Sequence, residues 1–168
     1  MKNRIKKYLK EIIVFILILL VATNVMSYFN SQNLNKEKLS INNFTLLNDK
    51  EYLVLQDKPL IIHFWATWCP TCKFEAPNIE KLSKDYEVIT IAVQSGTKEE
   101  IEKYLEEHNF TFNVVNDEDG TYSQNFNIKA FPTTFIYDEN KNLRFSEVGY
   151  TSTFGLYFRM KFIEYFKK

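Results

Sequence analysis

Cysteine is scarce in this chain: 168 residues contain two, at positions 69 and 72. A small scaffold stapled by disulfides uses more cysteines at wider spacing. A bridge between positions three apart closes almost no loop and adds little stability through chain entropy. The pair is therefore placed for chemistry rather than for holding a fold together. Histidine is equally rare, with only His63 and His108. A zinc site needs four ligands, and His63 falls inside an expected strand, so a metal centre is not expected and no cofactor is implied. Beyond residue 30 the only methionine is Met160, which leaves a copper-carrying module short of soft sulfur ligands. An excess of basic charge is also missing. Of 21 basic and 21 acidic residues, five and one lie in the first thirty positions, so the remainder is mildly acidic. Nothing here provides the basic face of a nucleic-acid binder. Internal repeats, low-complexity segments and a Pro-x-x-x-Thr-x-x-Cys peroxidase motif are absent as well.

Hydrophobic residues are plentiful, at 45 %, with 16 % aromatic. The length suits one domain plus an appendage. Residues 1–11 form a basic stub containing Lys2, Arg4, Lys6, Lys7 and Lys10. An unbroken apolar run, Ile12 to Ala22, follows, and Val25, Met26, Tyr28 and Phe29 extend it. From Ile12 to Phe29 a helix would measure about 27 Å, enough to cross a bilayer with Tyr28 and Phe29 at the interface. Residues 12–29 thus read as a transmembrane signal anchor. The competing reading, a cleaved signal peptide, wants small residues in an Ala-x-Ala pattern, which Val21 to Met26 match poorly. No cysteine follows the run to carry a lipid. The basic flank would stay in the cytoplasm. The chain would then be a single-pass protein of the cytoplasmic (inner) membrane, its soluble part on the extracytoplasmic or periplasmic side. Residues 30–40 are polar and read as a tether, and residues 41–168 as the domain.

Within the domain, Phe44–Leu47 and Tyr52–Leu55 suggest two short strands about a turn. Leu60–Trp65 and Val88–Val93 are nearly continuous apolar runs, expected of central strands buried on both faces. A helix should start at the cysteines and reach about Tyr86, with Pro77 inside it. Thr97 and Glu100 form a capping-box pattern ahead of Ile101, Tyr104, Leu105 and His108 at helical spacing. Asn113–Asn116 reads as a strand, Thr121–Phe126 as a helix, and Thr133–Tyr137 with Leu143–Val148 as a hairpin. Phe154, Phe158, Phe162 and Phe166 recur every four residues on one face of a closing helix. This order gives an α/β sandwich with a mixed sheet.

The segment Trp68-Cys69-Pro70-Thr71-Cys72 lies where a buried strand meets a helix start. The thiolate is the reactive form of cysteine, and helix N-termini and Cys-x-x-Cys motifs stabilise it. Pro70 suits a first helical turn because its missing N–H costs nothing there. Cys69 is expected to be the exposed attacking sulfur and Cys72, on the same face and inward, the resolving one.

Phe64 to Pro77 resembles the active-site segment of thioredoxin-fold proteins. It is most similar to the TlpA/ResA/DsbE branch of extracytoplasmic thiol reductases, whose helix carries an acid three residues after the second cysteine. Glu75 stands there. Phe131-Pro132-Thr133 resembles the family's cis-proline loop. Ala92 to Gly96 and Gly149 to Arg159 are similar to segments of the suppressor-of-copper-sensitivity D type, and the likeness covers about residues 41–160. The resemblance implies a thioredoxin-like three-layer sandwich and a reversible Cys69–Cys72 disulfide. It also implies protein thiols and disulfides as substrates, with Trp68, Phe131 and Pro132 meeting them, and a membrane electron donor. Reduction of disulfides is the favoured direction, and insertion of disulfides is the alternative. His63 occupies the position of a buried aspartate in thioredoxin and is read as a bystander. Glu75 is read as the base for Cys72, because burial raises a carboxyl toward neutral pH. Tyr150 to Arg159 reads as a capped closing helix rather than a partner surface.

Overall fold

The computed structural model describes residues 2–166. Residues 1, 167 and 168, at the outer ends of the expected stub and domain, lie outside the described residues. Helix α1 (Lys2–Ser31) is followed by β1 (Asn43–Thr45), β2 (Glu51–Leu53), β3 (Leu60–Trp65), α2 (Pro70–Ser83), β4 (Glu87–Val93), α3 (Lys98–His108), β5 (Asn113–Asp117), α4 (Thr121–Asn125), β6 (Thr133–Tyr137), β7 (Leu143–Val148) and α5 (Thr153–Tyr165). Within α1, Tyr8–Ser31 is long and apolar enough to cross a membrane.

Five strands form one mixed sheet in the order β5-β4-β3-β6-β7. β3, β4 and β5 run parallel, whereas β6 is antiparallel to β3 and to β7. The residues of β3 alternate between the two faces, as the two-residue period of a strand requires. Ile61 and Trp65 join a cluster with residues of α2, α3 and α5. Leu60, Ile62 and Phe64 join a second cluster with Phe44, Val54 and Phe126 on the opposite face. β3 is therefore buried throughout, and the expected three-layer α/β sandwich is the observed one.

Local signals set the helix ends. Thr97 and Glu100 make both bonds of the capping box, and Asn109, in the left-handed region at φ 56°, closes α3. Ser152 caps α5 through the N–H of Gly155. α2 ends at Ser83, before Tyr86, and runs through Pro77. The phenylalanine repeat of α5 differs from expectation more informatively. Phe154, Phe158 and Phe166 are exposed and Phe162 partly so, while Leu156, Met160 and Ile163 are buried. At about 100° per residue, a strict four-residue spacing drifts around the helix, whereas spacings of four and three hold one face.

The segment expected to be a polar tether is laid against the domain. Leu34 and Leu39 are buried, the Asn35 N–H donates to the Phe126 carbonyl at 3.2 Å, and the Leu39 N–H donates to that of Lys141 at 3.0 Å. Its two leucines supply apolar area that a composition-based reading averages away.

Glu80 anchors the far end of α2. Its carboxylate accepts from the Thr111 N–H at 2.7 Å, the Thr111 hydroxyl at 2.8 Å and the Phe112 N–H at 3.2 Å. Burial opposes ionisation, but the Thr111 bonds and Lys84 outweigh it and hold the carboxyl below its ordinary range. Replacing Glu80 with Ala strands two backbone donors and should cost about 2–4 kcal/mol. Urea unfolding of the full-length chain in detergent at pH 7 measures this. The deficit should shrink as pH falls through the carboxylate range, because the native chain then loses the same bonds.

Candidate active site

β3 delivers the chain to the start of α2, and two loops hold it there. The Thr67 N–H donates to the Ser95 hydroxyl at 3.1 Å, and the Thr67 hydroxyl donates to the Ser95 carbonyl at 3.3 Å. The Trp68 indole N–H donates to the Gln94 carbonyl at 3.0 Å, and Gln94 itself adopts φ 44°. The loop after β4 thus clamps the loop after β3.

Cys69 is the N-cap of α2, with Pro70 following at the helix start. Its sulfur accepts the Cys72 N–H at 3.3 Å. This donor is one of those a helix start leaves unpaired, so the helix terminus itself presents positive charge to the sulfur. Both cysteines are free thiols. The exposed attacking sulfur expected at position 69 is a correction: Cys69 is 6 % exposed and Cys72 1 %. Cys69 is the more exposed of the two, but it is itself buried. Trp68 is well exposed and meets the Phe131 ring edge-on at 5.6 Å. The Phe131–Pro132 bond is cis. The Pro132 carbonyl accepts from the Gly149 N–H at 2.8 Å.

Burial pushes the Cys72 thiol up strongly, and its hydrogen bond with Cys69 adds to the rise. Glu75, one turn further on, is completely buried. Neither of its oxygens has a hydrogen-bond partner. Burial raises it from 4.5 to about 8; the backbone near Thr151 opposes this in part, and the Glu147 carboxylate adds to it. Asn78 holds the covering loop, donating to the Thr151 carbonyl at 3.1 Å and to the Tyr150 hydroxyl at 3.3 Å. The Thr153 hydroxyl donates back to Asn78 at 2.7 Å.

His63 is buried beside the Thr134 hydroxyl, with Nδ1 at 2.9 Å. Burial lowers it to about 3, so it is neutral through the physiological range. Among the described residues, no group of three or more His, Cys, Asp or Glu side chains gathers as a metal site. Gln94, Ser95, Asn78 and Glu147 hold the site's loops or carry charge near it without a motif in the sequence that marks them. The first two follow a buried strand directly and fall in the Ala92 to Gly96 segment, and the others carry no local signature.

Glu75 keeps its proton in the folded chain up to about pH 8 but would release it near 4.5 when unfolded. The stability that the neutral acid contributes is therefore complete below about pH 4.5 and declines as pH rises toward 8. Glu75→Gln should match the native chain near pH 4.5 and exceed it at pH 8.5 by on the order of 2–5 kcal/mol. Urea midpoints at the two values read this out.

The description of the AhpC/TSA family matches residues 29–146. A thioredoxin-like protein of Haemophilus influenzae is 30 % identical over 97 % of this chain and 99 % of its own length. A thiol–disulfide oxidoreductase ResA of Oceanobacillus iheyensis is 31 % identical over 51 % of this chain and 47 % of its own. The crystal structure of StoA from Bacillus subtilis shares the fold, with a TM-score of 0.63 at 20 % identity over 72 % of this chain and 98 % of that one. The chain belongs to the AhpC/TSA family, with the thioredoxin-like fold, and its relatives include thiol–disulfide oxidoreductases named ResA and DsbE.

Proposed function

We propose that this AhpC/TSA-family chain is a membrane-anchored thiol–disulfide oxidoreductase that reduces disulfides of extracytoplasmic proteins through Cys69 and Cys72. The observation that carries the reading is the sulfur of Cys69 at the N-cap of α2, bonded to the Cys72 N–H. The similarity to oxidoreductases named ResA and DsbE supports the same chemistry.

The reaction follows from the placement of the groups. The Cys69 thiolate attacks one sulfur of a substrate disulfide. An S–S bond forms to Cys69, the substrate bond breaks, and the first substrate thiolate leaves and takes a proton from solvent. Trp68 and Phe131 offer an apolar rim for the substrate chain, and Pro132 lies beside the Phe131 backbone that would meet it. Cys72 must then lose a proton to attack Cys69. Its thiol resists ionisation, so a local base is needed. Glu75 is one turn away, and its raised carboxyl accepts a proton near neutral pH more readily than an ordinary carboxylate. Attack by the Cys72 thiolate releases the second substrate thiolate, which is protonated as it leaves. Two electrons have passed to the substrate, and the chain holds a Cys69–Cys72 disulfide. A dithiol donor must reduce that disulfide again, and an anchored domain would meet such a donor in the membrane.

Two measurements bear on this. With full-length protein in detergent, Cys69 is loaded with 5-thio-2-nitrobenzoate, and Cys72 then releases it. The release rate should rise with pH to a midpoint near 8, the value set by Glu75. Glu75→Gln should remove that rise and slow release at pH 9 by roughly 100-fold or more. Cys72→Ala should leave the mixed disulfide standing. An unchanged profile in Glu75→Gln removes Glu75 as the base. Separately, equilibration with glutathione should give a reduction potential below about −200 mV, on the thioredoxin side of the range. A value near about −120 mV, that of a strong dithiol oxidant, would reverse the proposed direction.

A further inference from the structure

Helix α5 carries two apolar faces, and the core uses one of them. Leu156, Met160 and Ile163 are buried, whereas Phe154, Phe158, Phe162, Tyr165 and Phe166 lie outside, Tyr165 with 83 % of its surface exposed. At about 100° per residue, the five aromatics fall within an arc of roughly 120°, opposite the buried three. Their rings form a connected patch: the centres of Phe162 and Phe166 lie 4.5 Å apart, and those of Tyr165 and Phe166 5.2 Å. A contiguous exposed patch of this kind marks a surface that meets something other than water.

The hydrogen bonds show what lies beside the patch. Phe162 meets the Phe145 ring of β7 at 5.9 Å, and Arg159 Nη2 lies 2.6 Å from Oε1 of Glu147 on the same strand. At its open edge β7 meets α1. The Val148 N–H donates to the Ser27 hydroxyl at 3.0 Å, and that hydroxyl donates to Oε2 of Glu147 at 3.5 Å. Ser27 stands one turn before the end of the apolar span Tyr8–Ser31. One carboxylate thus bridges the last turn of that span and α5. The chain beyond Ser31 has no slack, since Leu34 is buried and the Asn35 N–H donates to the Phe126 carbonyl at 3.2 Å.

We propose that the aromatic face of α5 seats the domain on the lipid surface of the membrane that α1 crosses, its rings entering the boundary between headgroups and acyl chains. The inference rests on the reading of α1 as a membrane anchor. The bridge through Glu147 holds the patch next to the anchor of the same chain, so the lipid around that anchor reaches it without a further partner. Aromatic side chains favour this boundary, and an interfacial helix buries one apolar face about 5–10 Å into it. Lys161, paired with Glu164, borders the patch, and Lys167 and Lys168 follow it in sequence; such helices carry basic residues beside their apolar face. The Thr153 hydroxyl at the start of α5 is bonded to Asn78 of α2, so a seated α5 also sets the height of the cysteine helix above the bilayer.

The test is lipid quenching of a dye on the full-length chain in phosphatidylcholine vesicles. In a chain carrying Cys69→Ser and Cys72→Ala, the single substitutions Phe158→Cys, Tyr165→Cys, Leu17→Cys and Lys103→Cys are each labelled with a thiol-reactive nitrobenzoxadiazole. Lipid bearing a nitroxide near the headgroup end of its acyl chain should quench the dye at positions 158 and 165 about twofold or more. The dye at position 103, on the exposed side of α3, should be unaffected. The dye at position 17, in the middle of the apolar span, should be quenched by lipid bearing the nitroxide near the chain end. If position 17 is quenched while both α5 positions behave like position 103, this inference is overturned and the anchor stands. If position 17 escapes quenching, the anchor reading fails and the inference fails with it. Blue-shifted emission at positions 158 and 165 without quenching means that protein, a second copy or another partner, covers the face, and it too overturns the inference. Should one α5 variant not fold, the other decides alone.

Discussion

The N–H of Cys72 directed at the sulfur of Cys69 is the contact from which the rest of the site follows. It exists because a helix start leaves backbone donors unpaired and because Cys69 stands at the N-cap, not inside the helix. That placement depends on where β3 releases the chain. The Thr67–Ser95 bonds and the Trp68–Gln94 bond hold the release point. Both partners lie in the loop that ends β4, the strand paired with β3 in parallel register. The sheet thus builds the helix start from two neighbouring strand ends, and the sulfur receives its electrostatic setting from backbone rather than from a charged side chain.

Two buried ionisable groups sit near this helix, and the structure treats them differently. His63 has a hydroxyl partner in Thr134 and no reason to charge, so burial simply keeps it neutral. Glu75 has no side-chain hydrogen-bond partner and at most the Thr151 backbone against it, so burial leaves it holding a proton that it can release near pH 8. A satisfied neutral group contributes packing. A buried acid with few partners is costly to keep. His63 and Glu75 thus differ in their surroundings as well as in residue type.

The apolar helix α1 is joined to the sheet more closely than a tethered anchor would be. β7 is an edge strand, and an edge presents unpaired backbone groups. The Val148 N–H donates to the Ser27 hydroxyl at 3.0 Å, and that hydroxyl lies 3.5 Å from Glu147. The following residues continue along the domain, with Leu34 and Leu39 buried. One polar residue near the end of an apolar helix therefore caps the open edge of the sheet beside the residue that faces Arg159.

The amino-acid sequence by itself determined everything carried by nearby residues. The apolar runs marked β3 and β4, Thr97 and Glu100 marked the start of α3, and Cys69, Pro70 and Cys72 marked a cysteine pair at a helix start, because period, caps and three-residue spacings act within one or two turns of chain. It misjudged the phenylalanine repeat of α5, the docked segment after α1 and the exposure of Cys69, since each depends on what lies opposite. Only the tertiary structure decided that Glu147 of β7 pairs with Arg159 of α5, that Glu75 is completely buried on α2, and that Ser95 and Asn78 hold the loops around the cysteines. The reason is physical: the cost of burying a charge depends on neighbours gathered in space, and residues of β7 and α5 meet α2 only after the sheet has paired and its helices have packed on one face.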